Sequence, residues 1–230
     1  MTKKTFILAL SLFALIFMNA CVSFSSHQTA EVLKEDQVEW GEGIGYLMFD
    51  YDIDTTDANG NKTTKHESTS VPYFPETIFR FGIDNNMDVG IKVAGVIANI
   101  EVDLKYQVLQ IGDKTSNTTI SVQPSASGMV MGDFKMYKFG MGLLASQRIS
   151  ERMAFYGNLK YNYLAVSISD SSNDGDGASD AFADGNLYTA AVGFSYEGKS
   201  FWVRPEATIV LNKDFKKLLI LPAMGFGLRF

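Results

Sequence analysis

Apolar and polar residues alternate along much of the chain, most clearly between Met87 and Gln110. Met87, Val89, Ile91 and Val93 fall on one side of the pattern, with Asp88, Lys92 and Ala94 on the other. After a short break, Ile100, Val102, Leu104, Tyr106 and Val108 oppose Glu101, Asp103, Lys105 and Gln107. A period of two residues is the pleat of a β-strand, whose successive side chains leave opposite faces. One face is apolar, and the other carries charges of both signs.

The same period predicts strands elsewhere. They fall from near Gly41 or Gly43 to Tyr51, and over Pro72 to Ile83, Thr118 to Met131, Tyr137 to Ser146 and Phe155 to Tyr163. Others cover Tyr188 to Tyr196, Phe201 to Ile209 and about Leu218 to Phe230. With the two opening runs this makes about ten strands, eight or twelve being the neighbouring counts. Pro124 and Pro205 sit inside strands; a proline forfeits a ladder hydrogen bond, so a bulge or strand end is expected at Pro124. Asp52 to Ser70 has no apolar period and contains Asn59-Gly60, which reads as a long loop. Ser169 to Asn186 holds five aspartates and no Lys or Arg and reads as a second. Gln110 to Asn117 is a polar connection, while 84–86, 150–152 and 197–200 read as tight turns. Counted from an inner amino end, both long loops fall on one side and the tight turns on the other. Short periplasmic turns and longer external loops are the asymmetry of membrane barrels.

Composition agrees with this picture. Aromatic residues are 13% of the 230, with 17 Phe, 10 Tyr and 20 Gly, a usage that suits β-structure. Lys3 and Lys4 precede an apolar-rich run from Phe6 to Met18, then Asn19, Ala20 and Cys21, the order of a secretory signal. The run is too short to span a bilayer as a helix. Removing residues 1–20 takes away two lysines and no acid, so the formal charge of −6 becomes still more negative. That argues against a nucleic-acid partner, which needs concentrated positive charge. A single cysteine excludes an internal disulfide.

Three stretches resemble known patterns. Met18-Asn19-Ala20-Cys21 resembles a bacterial lipobox, which implies a lipidated Cys21 as the first mature residue; Met and Asn depart from the commonest pattern. Arg80-Phe81-Gly82-Ile83-Asp84-Asn85-Asn86-Met87-Asp88-Val89-Gly90 resembles the strand-turn-strand repeat of small Gram-negative outer-membrane β-barrels. Gly225, Leu228 and the terminal Phe230 resemble the signal by which such barrels reach their assembly machinery, although Ala223 stands where a polar residue is usual.

The expected fold is therefore all-β: a single antiparallel up-and-down transmembrane β-barrel over 41–230, after a signal peptide at 1–20 and a lipidated tether at 21–40. A soluble periplasmic barrel with an apolar, lipid-binding interior is the alternative. With apolar faces outward, the lumen receives Glu76, Arg80, Asp88, Lys92, Glu101, Asp103, Lys105, Lys138, Lys160, Arg204, Glu206 and Arg229. Ten strands leave a narrow interior, so these charges read as a mutually neutralising network. Small inward residues at Ala191, Gly193, Ala223, Gly225 and Gly227 suit a constricted passage for a small polar solute instead. Asp170, Asp174 and Asp176 imitate the start of a calcium loop, but Ala181 replaces the bidentate Glu at its twelfth position. No enzyme is expected: ten-stranded outer-membrane proteases pair aspartates with a histidine, whereas only His27 and His66 are present, in the tether and the first loop. No cofactor is implied. The expected location is the bacterial outer membrane, with lipid and the assembly machinery as partners and any surface ligand unidentified.

Overall fold

A computed structural model describes residues 25–56, 62–94, 99–113, 115–131, 134–168, 181–211 and 219–230. Ten strands follow one another: β1 (Val38–Thr56), β2 (Lys62–Asp84), β3 (Met87–Ala94), β4 (Asn99–Gly112), β5 (Asn117–Met131), β6 (Phe134–Ser150), β7 (Met153–Ile168), β8 (Ala181–Glu197), β9 (Phe201–Leu211) and β10 (Leu219–Arg229). Each pairs antiparallel with its sequence neighbours, and β1 pairs with β10, closing the barrel. Closure leaves no sheet edge, which a wall in hydrocarbon requires. The seam is completed by Val38 and Phe230, each donating its N–H to the other's carbonyl at 3.2 and 2.9 Å.

The alternation decides which face goes inward. On β4, Ile100, Val102, Leu104 and Tyr106 are exposed on the outside, while Asn99, Glu101, Asp103 and Lys105 are buried. Tyr137, Phe139, Met141 and Leu143 on β6, with Phe226 and Leu228 on β10, continue the apolar exterior. A soluble carrier with an apolar interior has the opposite orientation and is excluded. In water each such side chain would forgo roughly 1.5–3 kcal/mol of burial, and soluble monomers rarely expose so continuous a belt.

Several boundaries differ from the periodicity. The barrel begins at Val38 rather than 41, because β1 opens with Glu39 inward and Trp40 outward. Residues 52–56 and 62–70 are strand rather than loop, since β1 and β2 stay paired from Gly45↔Tyr73 to Thr56↔Lys62, and 57–61 lie outside the described residues. Their Thr-rich, β-branched sequence suits an extended hairpin even without an apolar face. The second long connection is likewise shorter, since β8 starts at Ala181. The polar connection at 110–117 shrinks too, with β4 continuing to Gly112 and β5 starting at Asn117.

No bulge or strand end falls at Pro124. β5 runs through it, pairing Pro124 with Met141 on β6. On the other side its pairing with β4 steps from Asp103↔Ser125 to Tyr106↔Val122 without a change of register, and the shift comes later, at Gln107/Leu109. Pro205 behaves alike, pairing with Met224 while β8–β9 pairing steps from Gly193↔Glu206 to Tyr196↔Val203. The missing N–H thus costs one side of the ladder only.

Candidate functional site

The largest departure from expectation is the supposed tether. Residues 25–34 do not stand outside the barrel; they run through its lumen. Ser25, His27, Gln28, Thr29, Ala30 and Leu33 are all buried. This segment has no strand partner, so its backbone polar groups must be satisfied otherwise, and wall side chains supply the partners. The N–H groups of Ser26 and His27 donate to Glu206 at 2.8 and 2.9 Å, and that of Leu33 to Asp88 at 3.0 Å. Lys92 donates to the Ser25 carbonyl at 2.8 Å, Arg204 to that of His27 at 2.9 Å, and Lys105 to those of Thr29 and Glu31 at 3.1 and 2.6 Å. Ser121 donates to the Ala30 carbonyl.

The segment is aperiodic because its contacts are with side chains on all sides, which imposes no pleat. His27 takes φ 46, a left-handed kink. Its Nε2 lies 3.2 Å from the Glu76 carboxylate, and the Ser25 hydroxyl donates to that carboxylate. Asp36, at φ 64, turns the chain into β1 while Gly82 donates to the Gln37 carbonyl at 2.9 Å. A side chain at Gly82 would collide with the Lys34 carbonyl, its Cβ lying 1.8 Å away.

The expected lumen charges are brought together here as follows. Arg80 bridges Asp88 and Asp103, and Lys105 lies 3.2 Å from Asp88. Lys138 and Lys160 converge on Glu101 at 2.5 and 2.6 Å, while Lys92 lies 3.7 Å from Glu76. Arg204 and Arg229 share Glu39, at 2.7 and 2.8 Å, and Glu197, both at 3.3 Å. Glu206 is the exception, since it holds the backbone of the inserted segment. Glu31, Glu39, Arg148 and Glu197 belong to the network although the strand pattern did not single them out. Glu39 and Glu197 lie just at strand ends, and Glu31 lies in the inserted segment, where it pairs with Arg148. Among the described residues the wall carries eight buried or half-buried cations, Arg80, Lys92, Lys105, Lys138, Arg148, Lys160, Arg204 and Arg229. Seven wall carboxylates, Glu39, Glu76, Asp88, Glu101, Asp103, Glu197 and Glu206, oppose them, and Glu31 evens the balance.

The small inward residues make room for this filling rather than for a passage. A Cβ at Gly225 would lie 2.8–3.0 Å from the His27 ring, and one at Gly43 would meet both Glu76 and His27. Gly41 and Gly227 accommodate Trp202, which is 1% exposed and stacks under Arg204 at 4.3 Å; Gly193 accommodates Tyr156. The space left around Ser25 and Gln28 is about 20 Å³, room for about one water molecule. At the mouth beside the tight turns a wider polar vestibule of about 250 Å³ is lined by Glu31, Lys34, Arg148, Glu197, Lys199 and Arg229, among others.

The remaining candidates lie elsewhere. Cys21 and the calcium candidates Asp170, Asp174 and Asp176 fall outside the described residues. Among the described residues no group of three or more His, Cys, Asp and Glu is placed to hold a metal ion. His66 lies on β2 with its backbone opposite Asp52. Leu228 and Phe230 are exposed on the outer wall, and Gly225 faces His27 inside.

No protein-family model matches the chain, and a sequence comparison with curated proteins finds no relative. Three-dimensional comparison finds solved structures of similar shape. One is Ail, the attachment invasion locus protein of Yersinia pestis, at 12% identity and TM-score 0.36, covering 85% of this chain and 99% of that one. The outer membrane protease OmpT from Escherichia coli is similar at 11% identity and TM-score 0.43, covering 89% and 99%. OprG, an outer membrane protein from Pseudomonas aeruginosa, is similar at 15% identity and TM-score 0.37, covering 88% and 99%. No residue role is carried over from any of them.

Proposed function

We propose that this chain is a bacterial outer-membrane barrel whose lumen is sealed by its own residues 25–34, and which works as a structural wall element presenting its outer connections to partners. The observation that carries the reading is the pairing of an apolar belt outside with a filled, charge-balanced lumen inside. A passage for small polar solutes needs a continuous gap, and the inserted segment occupies that path. Secretion by the signal at 1–20, acylation of Cys21 and delivery through Gly225, Leu228 and Phe230 belong to the same proposal, as does an orientation with 57–61 and 169–180 outside the cell. Such a barrel, extracted from membranes with detergent, migrates faster on a gel unheated than boiled. Identical mobility in both samples, or recovery in the soluble fraction, contradicts the proposal.

A further inference from the structure

The vestibule at the mouth beside the tight turns is charged unequally. Seven cations line it against three carboxylates, Glu31, Glu39 and Glu197. Each of those carboxylates is already engaged on both oxygens: Glu31 by Arg148, Glu39 by Arg204 and Arg229, and Glu197 by all three guanidinium groups. Behind the lining, Asp88 and Asp103 balance Arg80 and Lys105. What remains is a surplus of two positive charges, on Lys34 and Lys199, which make no ion pair among the described residues. Glu35 and Asp36 follow Lys34 in the chain but are exposed and do not line the cavity.

Both lysines stand on pinned backbone. Lys34 donates its N–H to the Gln37 side chain at 3.1 Å and accepts from the Gln37 N–H at 3.0 Å. The turn that carries Lys199 is fixed by Gly198, which donates to the Phe201 carbonyl at 2.7 Å, and by Arg229, which donates to the Ser200 carbonyl at 3.0 Å. The floor beneath them is built from the buried Arg80, Lys105 and Arg204. The strand residues that line the cavity face inward, so a solute reaches it along the barrel axis without crossing the lipid-facing wall. Its volume of about 250 Å³ is the share of about eight water molecules at roughly 30 Å³ each, which suits a compact solute better than a single small ion. A cleft with a surplus of one charge and low-dielectric walls concentrates the opposite ion, and lysine ammonium groups bind phosphoryl oxygens as point charges.

We infer that the vestibule is a binding site for a compact soluble polyanion of the phosphate class, such as a diphosphate or a phosphorylated sugar, held by Lys34 and Lys199 over the cationic floor. Lys34 belongs to the inserted segment and Lys199 to the wall, so the ligand also fastens the segment to the barrel. The inference goes beyond the structural reading given above and does not depend on which way the barrel faces.

Inorganic diphosphate is titrated calorimetrically into the full-length folded protein in a zwitterionic detergent. The native protein is compared with a Lys34→Ala, Lys199→Ala double variant and with Arg152→Ala, a cation on a turn at the same mouth that does not line the cavity, each shown to keep heat-modifiable mobility. The native protein is expected to bind at one site, more weakly as salt rises. The double variant is expected to lose about tenfold or more in affinity, the effect of removing charge-assisted contacts, while Arg152→Ala binds as the native protein does. Absence of binding by the native protein at low salt, or undiminished binding by the double variant, overturns the inference. An equal loss in Arg152→Ala would mean that net charge alone attracts the anion, and overturns it too.

Discussion

Arg80 illustrates what a single lumen residue does. Its guanidinium joins Asp88 on β3 to Asp103 on β4, and Asp88 in turn accepts from the Leu33 backbone. Replacing Arg80 with Met leaves two buried carboxylates without their shared cation, a change that costs about 3–5 kcal/mol. Urea unfolding of Arg80→Met in lipid vesicles is expected to show a loss of that order, and an unchanged midpoint would refute it. Gly43 is a second test, since a Cβ there meets the His27 ring at 2.8 Å and Glu76 at 2.7 Å. Gly43→Val is therefore expected to overpack the seal and to lower stability by about 1–3 kcal/mol in the same assay. At the connection after β4, Asp113 accepts from the Thr115 hydroxyl and from the N–H groups of Thr115 and Ser116. These bonds, the hydroxyl's first, hold its carboxyl below the ordinary value. A lowered value means that the turn's ordering is complete above the ordinary carboxylate pKa of about 3.9 and is lost as pH falls through the depressed one. An NMR titration of Asp113 should show its midpoint below that of Asp113 in an unfolded peptide. At this scale the wall charges were legible, because each stands at an inward position of an alternating strand. Glu31 and His27 were not: nothing in an aperiodic segment says which way a side chain points.

The strands themselves were legible for the same reason, and the misreadings share a cause. Between Asp52 and Ser70 the apolar alternation stops, yet the hairpin continues, since backbone pairing needs β-compatible residues and a partner but no buried face. Pro124 and Pro205 looked like interruptions, but each keeps a regular partner on one side, Met141 and Met224. The inward glycines gave a signal that was available and pointed the wrong way: Gly225 and Gly227, which suit a passage by the sequence alone, adjoin Gly41 and Gly43 across the seam, where His27 and Trp202 enter. Inward glycines on adjoining strands indicate bulk arriving from elsewhere as readily as an opening. The seam also gives a prediction for β10. Deleting Phe230 removes both backbone bonds to Val38 and the aromatic of the proposed assembly signal. The fraction of protein with heat-modifiable mobility in outer-membrane extracts is expected to fall severalfold, and an undiminished fraction would show that β10 closes without it.

At the scale of the whole molecule, hydrocarbon demands a wall with every backbone group paired, and a narrow lumen full of charge demands that each charge be met. The barrel meets the first demand by closing β1 on β10. It meets the second by drawing in its own amino-terminal segment, whose carbonyls take Lys92, Lys105 and Arg204 and whose N–H groups take Glu206 and Asp88. Wall and filling are thus one electrostatic unit, and neither is complete alone. The central claim is that this segment is the seal, and planar-bilayer conductance tests it most directly. The native protein is compared with a variant in which residues 25–34 become a Gly/Ser stretch of equal length, both shown to be heat-modifiable. The account predicts silence from the native barrel and discrete conductance steps from the variant. Equal conductance from the two, or steps from the native protein alone, would contradict it.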